Sequence, residues 1–131
     1  MADGGERVSR GRAAYASQFR LPEGEAVAEL KRVVGDRMAD EAINAAGGAW
    51  VDDCLSLRDR SLVVLAALVT QGGVEERLRL HVRWALDHGV TPEELEAMAA
   101  LLAVYVGYPR ASVAMETIRE VVSGERADGS G

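Results

Sequence analysis

The chain holds two histidines, His81 and His88, both within the stretch LRLHVRWALDHGVTPEEL from Leu78 to Leu95. Imidazole is the side chain whose ordinary pKa lies nearest neutrality, so His81 is the residue best suited to take or give a proton. Leu78, His81, Val82 and Ala85 follow the i, i+3, i+4, i+7 rule and share the helix face that should point inward. Arg77, one turn earlier, lies at the edge of that face. Trp84 stands there three residues after His81, and His88 falls further along the same edge. A histidine so placed is either a hydrogen-bonded core residue or a proton-transfer group, and the pattern alone leaves both open.

Three further residues bear on whether a cleft surrounds it. Trp50 sits in a loop, and Tyr105 precedes a turn broken by Gly107 and Pro109. Large aromatics beside loops either wall a pocket or fill core space with their polar atoms satisfied. Arg60 lies in the first turns of a helix, where the macrodipole does not favour a cation. Its presence calls for an ion pair, with Asp53 or Asp59 as partner, or for an anion site.

The elements that must position these residues are helical. Apolar spacing of three and four recurs throughout, while alternating β-branched runs and Asn-Gly hairpin turns are missing, so an all-α chain is predicted. One helix from about Glu23 carries Ala26, Val27, Leu30, Val33 and Val34 and ends near Gly35. A second, with Met38, Ala42 and Ile43, runs out at Gly47-Gly48. The third takes Ser56 as N-cap with Asp59 three residues on and continues through LVVLAALV to Gly72-Gly73. The fourth carries His81 and stops at Gly89. The fifth opens on Thr91, Pro92 and Glu94, where N-cap, N1 proline and capping-box glutamate coincide, and a sixth buries Ala114, Ile118, Val121 and Val122. Residues 1–20 show no sustained periodicity and 124–131 are Gly-rich and polar, so both are expected to be flexible around one helical domain over 21–123.

Composition narrows the function classes. Fifteen basic residues against 21 acidic ones give a net charge of −6, which opposes attraction to nucleic acid or to an anionic membrane surface. No apolar run is long enough to span a bilayer, and the N-terminus has no apolar signal core. Cys54 is the single cysteine, so no intramolecular disulfide, thiolate zinc site or C-x-x-C pair can form within the chain, which fits a reducing, cytoplasmic setting. Beside Asp52 and Asp53 its thiolate is disfavoured, and it is expected to be a small packing residue. The third and fifth helices are more apolar than one small core requires, which suggests burial between subunits of a homo-oligomer.

The segments WVDDCLSLRDRSL (50–62), LRLHVRWALDHGVTPEEL (78–95) and YVGYPRA (105–111) resemble the carboxymuconolactone decarboxylase family. The ordered set matches that family over roughly residues 45–122, although no single piece is specific. The resemblance implies a six-helix alkylhydroperoxidase D-like bundle, assembled as a trimer or hexamer with sites near subunit contacts. Peroxidase and disulfide-reductase members carry C-x-x-C with histidine four residues after the second cysteine. Those places hold Val74 and Arg77, so a thiol peroxidase is disfavoured. Decarboxylase members use no metal or organic cofactor, because the lactone delocalises the electrons left when CO₂ departs. On this resemblance His81 transfers the proton, Arg60 holds the substrate anion, and Trp50 and Tyr105 wall the site; Trp84, by its place at the edge of the His81 face, is a further candidate for substrate contact.

The sequence departs from the decarboxylase pattern at one telling place. Those enzymes carry glutamate four residues before the histidine, where this chain has Arg77. A carboxylate there would favour imidazolium, whereas Arg77 disfavours a second positive charge and keeps His81 neutral, suited to accept a proton. Glu76 points about 100° away on the helix and is a poor replacement. Two readings follow. One is a cofactor-free lyase or isomerase acting on a small anionic or enolisable carbonyl or lactone compound, with His81 as base and Arg77 or Arg60 on the oxyanion. The other is a non-catalytic oligomeric binding or scaffold protein that keeps the fold.

Overall fold

Helix boundaries in the computed structural model, which describes residues 4–50 and 52–129, fall where capping chemistry puts them. The elements are α1 (Gly4–Phe19), α2 (Glu23–Ala49), α3 (Leu57–Gln71), α4 (Glu75–Asp87), α5 (Pro92–Val106) and α6 (Tyr108–Gly129), with no strand among the described residues. Ser56 caps α3 by accepting the Asp59 N–H at 3.0 Å. Thr91 and Glu94 form a complete capping box at the start of α5, each side chain accepting the other's backbone N–H. Glu94 also accepts from Arg58, which ties the first turn of α3 to the first turn of α5.

The chain divides into two compact units, Met1–Leu55 and Ser56–Gly131. This boundary falls inside the stretch over which the sequence predicts one helical domain.

In the first unit α1 packs along α2. Residues 1–20 lack hydrophobic periodicity, yet they supply a helix of sixteen residues. Its contact with α2 is made by closeness of backbone as well as by apolar side chains. A Cβ on Gly11 would lie 1.8 Å from the Ile43 carbonyl oxygen, and one on Gly47 would lie 1.8 Å from that of Arg7. Tyr15 and Phe19 then reach a small core of Val27, Leu30, Ala39 and Ile43. At Gly35 the backbone of α2 leaves helical geometry (φ 81°, ψ 165°), so the break predicted there is present as a kink. Glycine tolerates that positive φ at no steric cost.

The second unit packs α3, α4, α5 and α6 around Leu65, Val82, Leu95 and Ile118. These are four of the most deeply buried large side chains. Where a flexible tail is expected from residue 124, α6 remains helical to Gly129. Helix α4 ends on a Schellman motif: Gly89 (φ 92°) donates to Leu86, and Val90 donates to Ala85. Val90 and Ala85 are both in the core, which is the apolar contact that accompanies this stop. The same stop sets His88 at the C-cap of α4, facing the first turns of α3. No described helix is long and apolar enough to cross a membrane.

Candidate active site

The chemistry-bearing residues of the second unit gather along α4 and the start of α3. His81, Trp84 and His88 form a ladder of rings on α4. The His81 and Trp84 ring centroids are 6.0 Å apart, and those of Trp84 and His88 4.8 Å apart. Trp84 is 3 % exposed and His81 half-buried, so the inward face predicted for α4 is observed. Arg60 is 8 % exposed and Ser61 3 % exposed, a cation and a hydroxyl taken almost wholly out of water. Ser61 Oγ lies 2.7 Å from His88 Nδ1.

Electrostatics separate the two histidines from ordinary imidazoles. Burial, and secondly the positive charge of Arg77, lower the His81 pKa from 6.5 to about 4. Removing a cation from water disfavours it, and a guanidinium one turn away adds repulsion. His81 is therefore neutral at physiological pH. His88 is also lowered, first by burial; Asp87 opposes this and Arg60 adds to it. Glu76 is exposed and pairs with Arg79 at 3.7 Å, away from His81, as its position on the helix requires. Among the described residues, no group of three or more His, Cys, Asp and Glu comes together in a way that would hold a metal ion.

A family model for the carboxymuconolactone decarboxylase family matches residues 38–120. The chain belongs to the carboxymuconolactone decarboxylase family. It is 36% identical over 75 residues to the 4-carboxymuconolactone decarboxylase of Acinetobacter baylyi (strain ATCC 33305 / BD413 / ADP1), a match covering 57% of this chain. The chain spans about half the length, 55%, of that curated relative.

The site residues expected of a carboxymuconolactone decarboxylase-like chain divide into three groups. His81, Trp84 and Arg60 stand in the second unit, Trp84 and Arg60 buried, and Arg77 is exposed but close enough to oppose charge on His81. Trp50 belongs to the first unit, where it caps α2 and is half-buried. Tyr105 lies in the last turn of α5 and is 77 % exposed. Cys54 is exposed rather than packed, a correction to the sequence reading. Asp52 Oδ1 accepts its N–H at 2.9 Å, and this local turn leaves the thiol in solvent.

Sequence reasoning missed the Ser61–His88 pair. His88 at i+7 from His81 was a usable signal, but its partner comes from another helix and no local spacing announces it. Two open concavities of the second unit lie elsewhere. One of about 440 Å³ is lined by Gly72, Leu78 and Arg110 among others, and one of about 590 Å³ by Ala103, Tyr108 and Met115 among others. Neither is lined by His81 or His88.

Proposed function

We propose that this chain is a cofactor-free, carboxymuconolactone decarboxylase-like enzyme that performs proton transfer or decarboxylation on a small anionic or enolisable carbonyl or lactone compound. The observation that carries the reading is a half-buried His81 held neutral by burial and by Arg77. Neutral imidazole is the form that accepts a proton. A pKa of about 4 makes His81 a weak base before substrate binds. A bound substrate anion would raise it towards the value that base catalysis requires, because an opposite charge nearby favours imidazolium.

In this mechanism Arg60 or Arg77 holds the developing oxyanion, and Trp84 and Tyr105 wall the substrate. In a proton abstraction His81 takes hydrogen from the carbon beside the carbonyl, whose electrons move onto oxygen as an enolate. In a decarboxylation the bond to the carboxylate breaks, the same enolate forms as CO₂ leaves, and a proton drawn from water through His81 is delivered to carbon, leaving hydroxide to be neutralised by solvent. The protein is then a lyase or isomerase and not a thiol peroxidase. The A. baylyi relative, named for decarboxylating 4-carboxymuconolactone, supplies the first compound to assay.

The reading extends to a homo-oligomer, a trimer or hexamer, in the cytoplasm, with a small-molecule substrate and neither nucleic acid nor membrane as partner. Val104 (78 % exposed) and Tyr105 on α5 support the oligomer, since apolar side chains so exposed gain by burial between subunits. On that view Tyr105 walls the site of a neighbouring copy. A non-catalytic binding protein is the second reading, motivated by the loss at position 77 of the carboxylate of the decarboxylase pattern. It predicts anion binding without turnover.

The test is turnover of 4-carboxymuconolactone and acetoacetate by wild type, His81→Ala and Arg77→Glu. Loss of about 100-fold or more in His81→Ala is expected for a group that moves a proton in the transition state. Unchanged turnover in that variant removes the mechanism.

A further inference from the structure

The concavity of about 440 Å³ lies where the end of α3, the start of α4 and the start of α6 meet. Its volume is in the range of small-molecule sites. Val69, Leu78 and Ala114 line it from the core, and Val113, 43 % exposed, lines it from the surface side. Its polar side chains are Gln71, Glu75 and Arg110, so Arg110 is its cation. That cation is held in place by the protein itself. Arg110 donates through Nη1 to the carbonyl of Thr70, one of the last four of α3, which a helix leaves without a partner of its own. Its guanidinium lies over Gly72, where a Cβ would stand 3.3 Å from Nε. Gly72 has φ 68°, which glycine adopts freely, so one residue both turns the chain and leaves room for the arginine.

A guanidinium carries five N–H groups in a planar fork, and among the described residues Arg110 spends that fork only on Thr70. The edge that carries Nε–H and Nη2 remains for an acceptor, and a carboxylate fits it with two parallel bonds. Glu75 does not cancel this charge, because it stands in the first turn of α4, where the positive end of the helix offsets it. We propose that this concavity binds a small monocarboxylate with an apolar body, its carboxylate paired with Arg110 and its body packed against Leu78 and Val113. The rest of the lining selects the class. An uncharged ligand leaves the Arg110 fork unused, and a second carboxylate on the ligand meets Glu75. The site goes beyond the proton-transfer reading and does not depend on it: neither His81 nor His88 lines the concavity, so its occupant is a ligand additional to the reacting substrate.

Titration of the full chain with phenylbutyrate tests the site, followed by ¹H–¹⁵N correlation spectra. Butyrate serves as the carboxylate without the ring, and phenylbutanol as the apolar body without the charge. Phenylbutyrate should shift the Gly72 and Gly73 amides and the Arg110 Nε–H, and should bind roughly tenfold or more tightly than either control. Arg110→Gln, which can still donate to Thr70, should weaken phenylbutyrate roughly tenfold or more and leave phenylbutanol within about threefold of wild type. Glu75→Gln keeps Arg110 in place and removes a like charge, so it should tighten phenylbutyrate by up to about fivefold. Equal affinity in Arg110→Gln, butyrate binding as tightly as phenylbutyrate, or shifts that bypass Gly72, Gly73 and Arg110 each overturn the proposal. Weaker binding in Glu75→Gln overturns it too, since the carboxylate of Glu75 would then be holding the ligand. None of these readouts needs turnover, so an idle His81 leaves them unaffected.

Discussion

Replacing Arg77 should move the His81 pKa by a bounded amount. That ring titrates at about 4 instead of 6.5, with burial the larger cause and Arg77 the smaller. The depression corresponds to about 3 kcal/mol in favour of the neutral form. Arg77 is exposed, so its repulsion acts largely through water. At the ~6 Å of an i, i+4 pair this amounts to about 1 kcal/mol, less than one pKa unit. Arg77→Ala should therefore raise His81 by under about one unit and leave it well below 6.5. Arg77→Glu should raise it by about twice as much, since attraction replaces repulsion. The assay is an NMR titration of the His81 ring in the three proteins. A return to 6.5 in Arg77→Ala would mean that charge, not burial, holds the ring neutral, and no movement in Arg77→Glu would remove Arg77 from the site. The same shift carries a stability signature. The unfolded chain binds the His81 proton near pH 6.5 and the folded chain only near 4, so between these values unfolding takes up protons. Stability present above pH 6.5 should fall by up to about 3 kcal/mol as pH drops through that window. His81→Ala should flatten that part of a denaturant-derived stability profile.

Gly11→Ala should destabilise the first unit by about 3 kcal/mol or more, because the new methyl would stand 1.8 Å from the Ile43 carbonyl oxygen and force α1 off α2. Gly4→Ala, with nothing within 4 Å, is the control and should leave the urea midpoint near wild type; equal midpoints for the two variants would contradict the close packing. Val104→Asp, on the exposed apolar end of α5, should shift the mass measured by light scattering from a trimer or hexamer towards the monomer. A wild type already monomeric would dispose of the assembly.

Capping chemistry made much of the fold legible from sequence. Thr91, Pro92 and Glu94 announced α5, Gly89 announced the Schellman stop of α4, and Gly35 marked a real departure from helical geometry, where one helical stretch of α2 gives way to the next. Each signal is local, with the residues that make the bond lying within a few positions of one another. Helix α1 was illegible because its buried residues, Gly11 and Gln18, are not apolar. It is held partly by backbone approach, which leaves no hydrophobic period to read. The site was legible to the same degree. His81, Trp84 and the shared face of α4 follow from helical spacing, and the depression of His81 by Arg77 follows from the i, i+4 relation. The burial of Arg60 and the Ser61–His88 bond were not legible, since both depend on how α3 lies against the end of α4.

Hydrogen exchange at the carbon acid tests the central claim most directly. Wild type and His81→Ala are incubated in D₂O with 4-carboxymuconolactone or acetoacetate and a metal chelator, and deuterium at carbon is followed by NMR. If His81 moves the proton without a metal, wild type should incorporate deuterium in the presence of chelator and His81→Ala should fall about 100-fold or more towards the solution rate. Equal incorporation by the two proteins, or none by wild type, would contradict it.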